Sequence, residues 1–290
     1  MKFSPRKRHR IQLPDRTLEL GSRTLVMGIL NVTPDSFSDG GRYSDPARAA
    51  QRAWQIAEEG ADILDIGGES TRPGSDAIGA DEEMRRVLPV LERLAGGYPL
   101  PISIDTSKAE VARAALAHGA GIINDVSSLQ NDPRVADEVA SSGAALILMH
   151  MRGTPAAMQM LPPSPNILRE LDLWAEEAVA RARSHGVSSE KIILDPGIGF
   201  GKSAGQNLEI LRNLSRLAAT GFPLLVGTSR KSFIGAILDR PAADRIWGTA
   251  ATVALSIVFG AHIVRVHDVA AMRDAARIAD AVVNATPLVK

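Results

Sequence analysis

The 290-residue sequence contains no cysteine, which excludes disulfide bonds, thiolate metal sites and thiol nucleophiles. It also has no excess of charge, because 33 Lys and Arg residues balance 33 Asp and Glu residues. A nucleic-acid-binding surface spread over the whole molecule is therefore not expected. Residues 6–10 form a short basic stretch, which we interpret as a solvated terminus in preference to a phosphate-binding arm.

Long hydrophobic runs are missing as well. The most apolar stretch, residues 250–266, is interrupted by Thr252, Ser256, His262 and Arg265, and it is too polar to span a membrane. The N-terminus lacks the apolar segment of a secretory signal peptide. We therefore expect a cytoplasmic protein that binds neither membranes nor nucleic acid.

Short segments typical of β-strands recur along the whole chain. Each is almost continuously apolar until its last positions, which is typical of a parallel sheet that is covered on both faces. These predicted strands are residues 25–31, 63–68, 101–106, 122–126, 146–150, 192–197, 224–229 and 263–267.

Segments with helical periodicity alternate with these strands, and most of them end at a glycine shortly before the next strand. They are residues 45–60, 80–94, 108–119, 133–143, 166–186, 205–221, 242–260 and 269–285.

Eight alternating units indicate either a closed (β/α)8 barrel or a large doubly wound sheet. The chain length and the absence of a dinucleotide-binding fingerprint favour the α/β class with a single barrel over residues 25–290. Residues 1–24 form a short N-terminal extension. We expect residues 18–20 to form a hairpin with Leu25 around Gly21 and Ser22, at the bottom of the barrel.

Polar residues lie at the carboxyl end of every predicted strand. Strand ends are also where solvent begins, but polar groups at all eight of them, many of them carboxylates and amides, favour one shared pocket, because the carboxyl ends of barrel strands converge at one face. These residues are Asn31, Asp65, Glu69, Asp105, Asn124, Asp125, His150, Asp195, Ser229, Arg230, Lys231, Arg265 and His267.

Three loops after strands stand out by length or by glycine content: residues 31–41, 67–74 and 195–202. The last of them is not a phosphate-binding P-loop, because Pro196 occupies the position of the first glycine. The nucleophile-elbow and His-Glu-x-x-His motifs are also missing. A zinc hydrolase that uses Asp and His side chains at strand ends remains an alternative. Amides such as Asn31 and Asn124, however, suit hydrogen bonding to a heterocyclic ligand better than metal coordination.

The loops resemble those of the dihydropteroate synthase family of pterin-binding barrels. The similar segments follow the family's order and cover nearly the whole chain from the first barrel strand onward. They are MGILNVTPDSFSDGG (27–41), GADILDIGGESTRPG (60–74), ISIDTSK (102–108), GIINDVSSL (121–129), LMHMRG (148–153), IILDPGIGFGK (192–202), LLVGTSRKSFIG (224–235) and IVRVHDV (263–269).

The resemblance implies a transferase of folate biosynthesis. Such an enzyme condenses 6-hydroxymethyl-7,8-dihydropterin pyrophosphate with p-aminobenzoate, giving 7,8-dihydropteroate and pyrophosphate. It also implies a requirement for Mg²⁺, a homodimer formed through outer helices, and competition by sulfonamides for the p-aminobenzoate pocket.

Residue roles carry over by the same resemblance. Asn31 would bind Mg²⁺, with Asp35 beside it, and Asp65 would support the pocket from beneath. Phe37 would belong to the mobile first loop. Catalytic roles are implied for Asp35, Thr71, Arg72, Lys231, Arg265 and His267, and substrate binding for Asp105, Asn124, Asp195, Lys231, Arg265, Thr71, Arg72, Pro73, Phe200 and Ser232.

Other residues of the motifs are assigned supporting positions. We expect Arg152 and Lys202 to be solvent-facing or structural, His150 to lie on the pocket floor, and Asp268 to orient His267.

Two alternatives remain at this point. One is a pterin-dependent methyltransferase barrel, which would share Asp105, Asn124 and Asp195 but has no need of the segments ESTRPG and SRKS. The other is a non-catalytic paralogue that binds pterin without turnover. Pyrophosphate release distinguishes a synthase from both.

Overall fold

The computed structural model describes residues 6–33, 45–70, 74–158 and 160–284. Within these ranges the strands are β1 (His9–Gln12), β2 (Thr17–Leu20), β3 (Leu25–Asn31), β4 (Ile63–Gly67), β5 (Ile102–Asp105), β6 (Ile122–Asp125), β7 (Ala145–Met149), β8 (Ile192–Asp195), β9 (Leu225–Val226) and β10 (Ile263–Val266).

The α-helices of the same ranges are α1 (Pro46–Glu58), α2 (Ala80–Leu94), α3 (Ala109–Ala117), α4 (Arg134–Ser142), α5 (Ile167–Ser184), α6 (Ala204–Arg212), α7 (Leu214–Ala218), α8 (Ser232–Leu238), α9 (Ile246–Val258) and α10 (Val269–Asn284).

The predicted (β/α)8 barrel is confirmed. Strands β3–β10 pair in parallel in the order β8-β7-β6-β5-β4-β3-β10-β9. A parallel bridge between Leu194 and Leu224 joins the two edges and closes the sheet. The backbone N–H of Leu194 also donates to the carbonyl of Pro223 across this seam, at 3.0 Å.

Alternation along each strand divides the apolar residues into two cores. Side chains such as Val26, Leu64 and Ile104 face outward and pack in the layer that includes the helices. Side chains at the alternate positions, such as Met27 and Ile63, pack together in the second core. Both faces of the strands are apolar near their amino ends, which explains why the sequence shows continuous apolar runs there.

An antiparallel hairpin of β1 and β2 closes the bottom of the barrel. His9 pairs with Leu20 and Gln12 with Thr17. Ile11 and Leu13 of this hairpin are buried in the same core as the barrel's interior side chains. The predicted hairpin partner, Leu25, belongs instead to β3, because the hairpin turn is formed by residues 13–16 and not by Gly21.

Several element boundaries differ from the prediction. The helix predicted over residues 205–221 is two helices, α6 and α7, separated at Asn213. The helix predicted over 242–260 begins at Ile246 after a short 3-10 helix, and an additional helix, α8, precedes it. The ladder of β9 contains only Leu225 and Val226, because the chain then turns into the loop that carries Lys231.

Among the described residues, no helix combines the length and the apolar character that crossing a membrane requires.

Candidate active site

Strand register aligns polar residues at the carboxyl end of the barrel. Asn31 in β3 is opposite Gly67 in β4, Gly67 is opposite Asp105 in β5, and Asp105 is opposite Asn124 in β6. A Cβ atom at Gly67 would lie 3.6 Å from Asn31 Oδ1 and 3.6 Å from Asp105 Cβ. Glycine therefore leaves room between two polar side chains, at the edge where barrel enzymes bind ligands.

Arg265 connects three strands of this region. Its Nε donates to Asp65 Oδ2 at 2.6 Å, and its terminal nitrogen donates to Asp105 Oδ2 at 2.9 Å. Asn124 also donates to Asp65 Oδ2, at a longer 3.4 Å. Asp65 lies two residues before the end of β4 and is fully buried, so it supports Arg265 from below the row of polar side chains.

Asp105 is held in an environment that opposes its ionisation. Burial raises the pKa of its carboxyl group to about 7, with Arg265 opposing the rise and Asp65 adding to it. The carboxyl group therefore changes its protonation state near neutral pH, which is unusual for aspartate and typical of functional sites.

The loop after β8 places Asp195 beside a glycine turn. Asp195 Oδ1 accepts a hydrogen bond from the N–H of Gly197 at 2.7 Å, and burial raises the pKa of the carboxyl group to about 6. Gly197 has a φ of +63°, and a Cβ atom there would collide with the carbonyl oxygen of His150. Glycine is therefore required for the two loops to approach each other this closely.

The ammonium group of Lys231 packs against the ring of Phe200. The ammonium nitrogen of Lys231 lies 4.0 Å from the centroid of the Phe200 ring, a cation–π geometry. Burial and the charge of Arg265 lower the pKa of Lys231 to about 8, while Asp195 opposes this shift. Ser232, the next residue, is exposed and begins α8.

The turn that carries Lys231 is fixed by contacts outside the pocket. Arg230 has a φ of +58°, a conformation that costs free energy in a residue other than glycine. Its backbone N–H donates to Thr249 Oγ1 at 3.1 Å, and Arg245 donates to its carbonyl oxygen at 3.0 Å. These contacts direct Lys231 towards the barrel axis.

His267 stands at the end of β10 as a neutral ring. Its Nδ1 lies 3.0 Å from Ser229 Oγ, and burial together with Arg265 lowers its pKa to about 3. The expectation that Asp268 orients His267 is wrong. Asp268 forms two hydrogen bonds with Arg230, of 3.0 and 2.5 Å, and so holds the preceding turn.

Two strand-end residues that the sequence grouped with the pocket have other contacts. Asp125 accepts hydrogen bonds from the N–H groups of Ser127 and Leu129, which stabilise a left-handed turn. His150 is buried against Trp174, with ring centroids 5.4 Å apart.

Of the two positions expected for Lys202, the structure shows the structural one, because the residue is buried and donates to three carbonyl groups. The sequence did not indicate Arg245, although this residue holds the turn at Arg230.

Five predicted site residues lie outside the described residues: Asp35, Phe37, Thr71, Arg72 and Pro73.

A divalent cation has few protein ligands in the described part of the site. Those residues contain no group of three or more Asp, Glu or His side chains arranged for a metal ion. The amide oxygen of Asn31 faces the gap beside Gly67. One amide oxygen fits Mg²⁺, because this ion is usually bound by few side chains and completes its shell with water and substrate phosphates.

Comparison with known proteins agrees with this geometry. A family model described as "Pterin binding enzyme" matches residues 27–267. The dihydropteroate synthase of Synechocystis is 50% identical over 262 residues, covering 90% of this chain and 91% of the relative. That of Bacillus subtilis is 46% identical over 267 residues, covering 92% and 91%.

Solved structures give the same answer. A Yersinia pestis dihydropteroate synthase with a sulfonamide drug complex has a TM-score of 0.89 at 42% identity, with coverage of 96% of this chain and 100% of that one. A Xanthomonas albilineans dihydropteroate synthase with 4-aminobenzoic acid has a TM-score of 0.89 at 44% identity, with coverage of 97% and 100%. This chain belongs to the dihydropteroate synthase family of pterin-binding enzymes.

Proposed function

We propose that this transferase condenses 6-hydroxymethyl-7,8-dihydropterin pyrophosphate with p-aminobenzoate and releases pyrophosphate. The observation that supports this most is the convergence of Asp105, Asn124, Asp195, Lys231 and Arg265 at the carboxyl end of one barrel.

The pterin site follows from hydrogen-bonding chemistry. A dihydropterin presents an amino group and ring N–H donors along one edge, beside ring acceptors. Asp195 and Asn124 supply acceptors and a donor for that edge, with Asp105 next to Asn124 in the register. Lys231 would donate to the acceptor side of the ring. The planar guanidinium of Arg265 can stack on the face of the heterocycle.

The leaving pyrophosphate needs positive charge and hydrogen-bond donors around it. Arg265 supplies a guanidinium that is already held by Asp65 and Asp105. Neutral His267 supplies a ring N–H, and Thr71 would add a hydroxyl group. When bound, Mg²⁺ would neutralise charge on the pyrophosphate oxygens, with Asn31 as its protein ligand and Asp35 beside it.

The amine of p-aminobenzoate is a weak nucleophile, and we propose that C–O cleavage comes first. The electron pair leaves with the pyrophosphate oxygen, and the amine nitrogen then bonds to the pterin methylene carbon and loses a proton. Such a sequence needs stabilised charge and protection from water more than a strong base.

The second pocket would lie between Phe200 and the start of α8. Phe200 offers an apolar wall beside Lys231, and Ser232 offers its hydroxyl group to the benzoate carboxylate. Arg72 and Pro73 would complete this pocket, and Phe37 would close over it.

The decisive experiment is pyrophosphate release by the purified chain with both substrates and Mg²⁺, compared with Asp195→Ala and with Asp137→Ala. Asp137 lies in α4 at the protein surface, where it contacts His185, and serves as the matched control. Release that requires p-aminobenzoate, survives Asp137→Ala and is lost in Asp195→Ala supports the proposal. Omission of Mg²⁺ should lower the rate.

The same assay separates the alternatives. A pterin-dependent methyltransferase would release no pyrophosphate. A non-catalytic paralogue would bind the pterin in calorimetry and release none, and either result would contradict the proposed reaction.

A homodimer through the outer helices is also proposed. Large apolar side chains are exposed on neighbouring helices, with Trp247 and Leu255 on α9 and Ile278 and Val282 on α10. Exposed apolar residues concentrated in one region mark protein interfaces. Light scattering should report a dimer that is weakened by Trp247→Glu or Ile278→Glu, but not by the matched Leu173→Glu on α5. A monomeric wild type would contradict this.

Two further proposals concern inhibition and cellular location. Sulfonamides should compete with p-aminobenzoate for the second pocket, raising its KM without changing kcat. A cytoplasmic location, expected from the sequence, can be tested by cell fractionation.

A further inference from the structure

Lys202, at the end of the loop after β8, has an unusual set of partners. The residue is 8% exposed, and its ammonium nitrogen donates to the carbonyl oxygens of His150 at 3.0 Å, Gly197 at 2.7 Å and Phe200 at 3.0 Å. The first of these carbonyls follows β7, and the other two belong to the loop after β8.

Three acceptors around one nitrogen match the protonated lysine better than the neutral amine. An ammonium group has three N–H donors, whereas a neutral amine has two. Three converging carbonyl dipoles provide the negative potential that a buried cation needs. No carboxylate of the described residues lies within 4.0 Å of Lys202, so the backbone takes the place of an ion-pair partner. Burial nevertheless lowers the pKa of Lys202 to about 7.

The three carbonyls belong to the residues that shape the site. Gly197 donates its N–H to Asp195, and Phe200 places its ring 4.0 Å from Lys231. The carbonyl of His150 is also the atom that a side chain at Gly197 would strike. The ammonium group of Lys202 therefore holds together the backbone on both sides of Asp195, the proposed pterin-binding carboxylate, and the backbone of Phe200, the proposed wall of the second pocket.

We infer that Lys202 is a positioning residue for the proposed reaction: its ammonium group clamps the loop after β8 against the end of β7, and thereby sets the places of Asp195 and Phe200. Its three N–H donors are all taken by backbone carbonyls, which leaves none for a substrate. The inference rests on the proposed function, because its effect is measured on that reaction.

The chain offers a matched control at the opposite end of the barrel. Lys191 also spans separate segments by donating to carbonyl groups, those of Gln12 and of Gly143, the second at 2.7 Å. Lys191→Met removes these lysine–carbonyl hydrogen bonds and leaves the contacts of the candidate active site unchanged.

The experiment compares Lys202→Met, Lys202→Arg and Lys191→Met with the wild type in pyrophosphate release, at a temperature below the melting temperature of every variant. Lys202→Met keeps the length of the side chain and removes all donors. We expect kcat/KM for p-aminobenzoate to fall roughly 10- to 100-fold, as small displacements of positioned groups do, mainly through KM. Lys202→Arg, which keeps the charge, should recover part of the loss, and Lys191→Met should retain wild-type kinetics.

A double-mutant cycle distinguishes positioning from general stability. Phe200→Leu should raise the KM for p-aminobenzoate alone. Its combination with Lys202→Met should cost much less than the product of the two effects on that KM, because Lys202 acts on the p-aminobenzoate pocket through Phe200. If Lys202→Met fails to fold, the same cycle is made with Lys202→Arg.

Independent effects of the two substitutions, or an unchanged KM in Lys202→Met with only a lower melting temperature, would overturn the inference. A wild type that releases no pyrophosphate would instead contradict the proposed function, so the two failures are separable.

Discussion

Arg265 and Asp65 form a buried ion pair, with 2.6 Å between Arg265 Nε and Asp65 Oδ2. The Asp65 side chain is fully buried, and its Oδ1 has no hydrogen-bond partner among the described residues. Because Arg265 also donates to Asp105, its guanidinium is oriented by two strands before any substrate arrives. In the proposed reaction this guanidinium would face the leaving group, and its orientation would be prepared in advance, which is how electrostatic catalysis avoids reorganisation.

Asp65→Ala should be strongly destabilising, because it removes one of the two carboxylates that pair with the Arg265 guanidinium. We expect the free energy of unfolding to fall by about 3 kcal/mol, measured by denaturant titration. Asp65→Asn should retain more stability, yet lower kcat/KM because Arg265 is held less firmly.

The matched substitution is Glu19→Ala, which removes a surface pair with Arg10 in which both side chains are largely exposed. Such pairs contribute little to stability. Equal losses of stability from Asp65→Ala and Glu19→Ala would show that the buried pair has no special role.

Pterin affinity should fall as the solution is acidified from pH 8 to pH 5. Asp105 and Asp195 have pKa values raised to about 7 and about 6, chiefly by burial, so each takes up a proton in this range and loses an acceptor position. Below a pKa, affinity for a ligand that requires the carboxylate falls roughly tenfold per pH unit. Calorimetry with the pterin pyrophosphate measures this dependence.

Asp105→Asn should remove the upper step of that profile and leave the lower one. A profile without any step between pH 8 and pH 5 would contradict the assignment of these carboxylates to the pterin site. The raised pKa of Asp105 also means that its contribution to folding is largest below pH 3.8 and is lost as the pH rises through 7.

His262 should make the fold sensitive to acid. Its Nδ1 accepts from the N–H of Leu224 at 3.1 Å, and its Nε2 lies 3.0 Å from the carbonyl of Lys7. Burial lowers its pKa from 6.5 to about 4, and the nearby His9 and Arg6 act in the same direction. The folded protein therefore holds a neutral ring where the unfolded chain binds a proton.

The stability that His262 supplies is complete above pH 6.5 and is lost as the pH falls towards 4. Between pH 6.5 and pH 4, His262→Gln should lose about 3 kcal/mol less of its free energy of unfolding than the wild type does. This difference is the free energy of the pKa shift. Thermal unfolding at several pH values gives the comparison, and curves of identical slope for both proteins would rule out this role.

A buried charge cluster anchors the loop after β4. Lys108 donates to Glu69 at 2.7 Å and to Glu83 at 2.5 Å, and Glu83 is fully buried, with its pKa raised by burial. Lys108→Met should lower the free energy of unfolding by about 3 kcal/mol, because it leaves the buried Glu83 carboxylate without its cation.

The double variant Lys108→Met with Glu83→Gln should recover much of that loss, since it removes both charges. Chemical denaturation of the two single variants and the double variant measures the coupling. Additive losses would mean that Lys108 and Glu83 do not stabilise each other.

The barrel could be predicted from the sequence because strand and helix segments alternate along the whole chain, and the interior of a parallel sheet demands apolar runs. Boundaries were less predictable. The break at Asn213 between α6 and α7 and the extra helix α8 depend on how the chain packs against neighbouring helices, which local periodicity does not report.

The candidate site was predicted in composition but not in contacts. Asp105, Asn124 and Asp195 could be found because they interrupt apolar runs at strand ends, where a barrel gathers its polar groups. Asp268 was given the wrong partner, because sequence proximity favoured His267 whereas the strained turn brings Arg230 to it.

The sequence by itself determined which residues are apolar, which segments alternate, and which charged groups reach the carboxyl ends of the strands. Only the tertiary structure decided that Arg265 pairs with Asp65, two hundred positions away in the chain, and that Lys202 is held by backbone carbonyls. The physical reason is that local periodicity depends on neighbours within a few residues. Ion pairing, burial and the pKa values they produce depend instead on the closure of the barrel, which brings distant strands together.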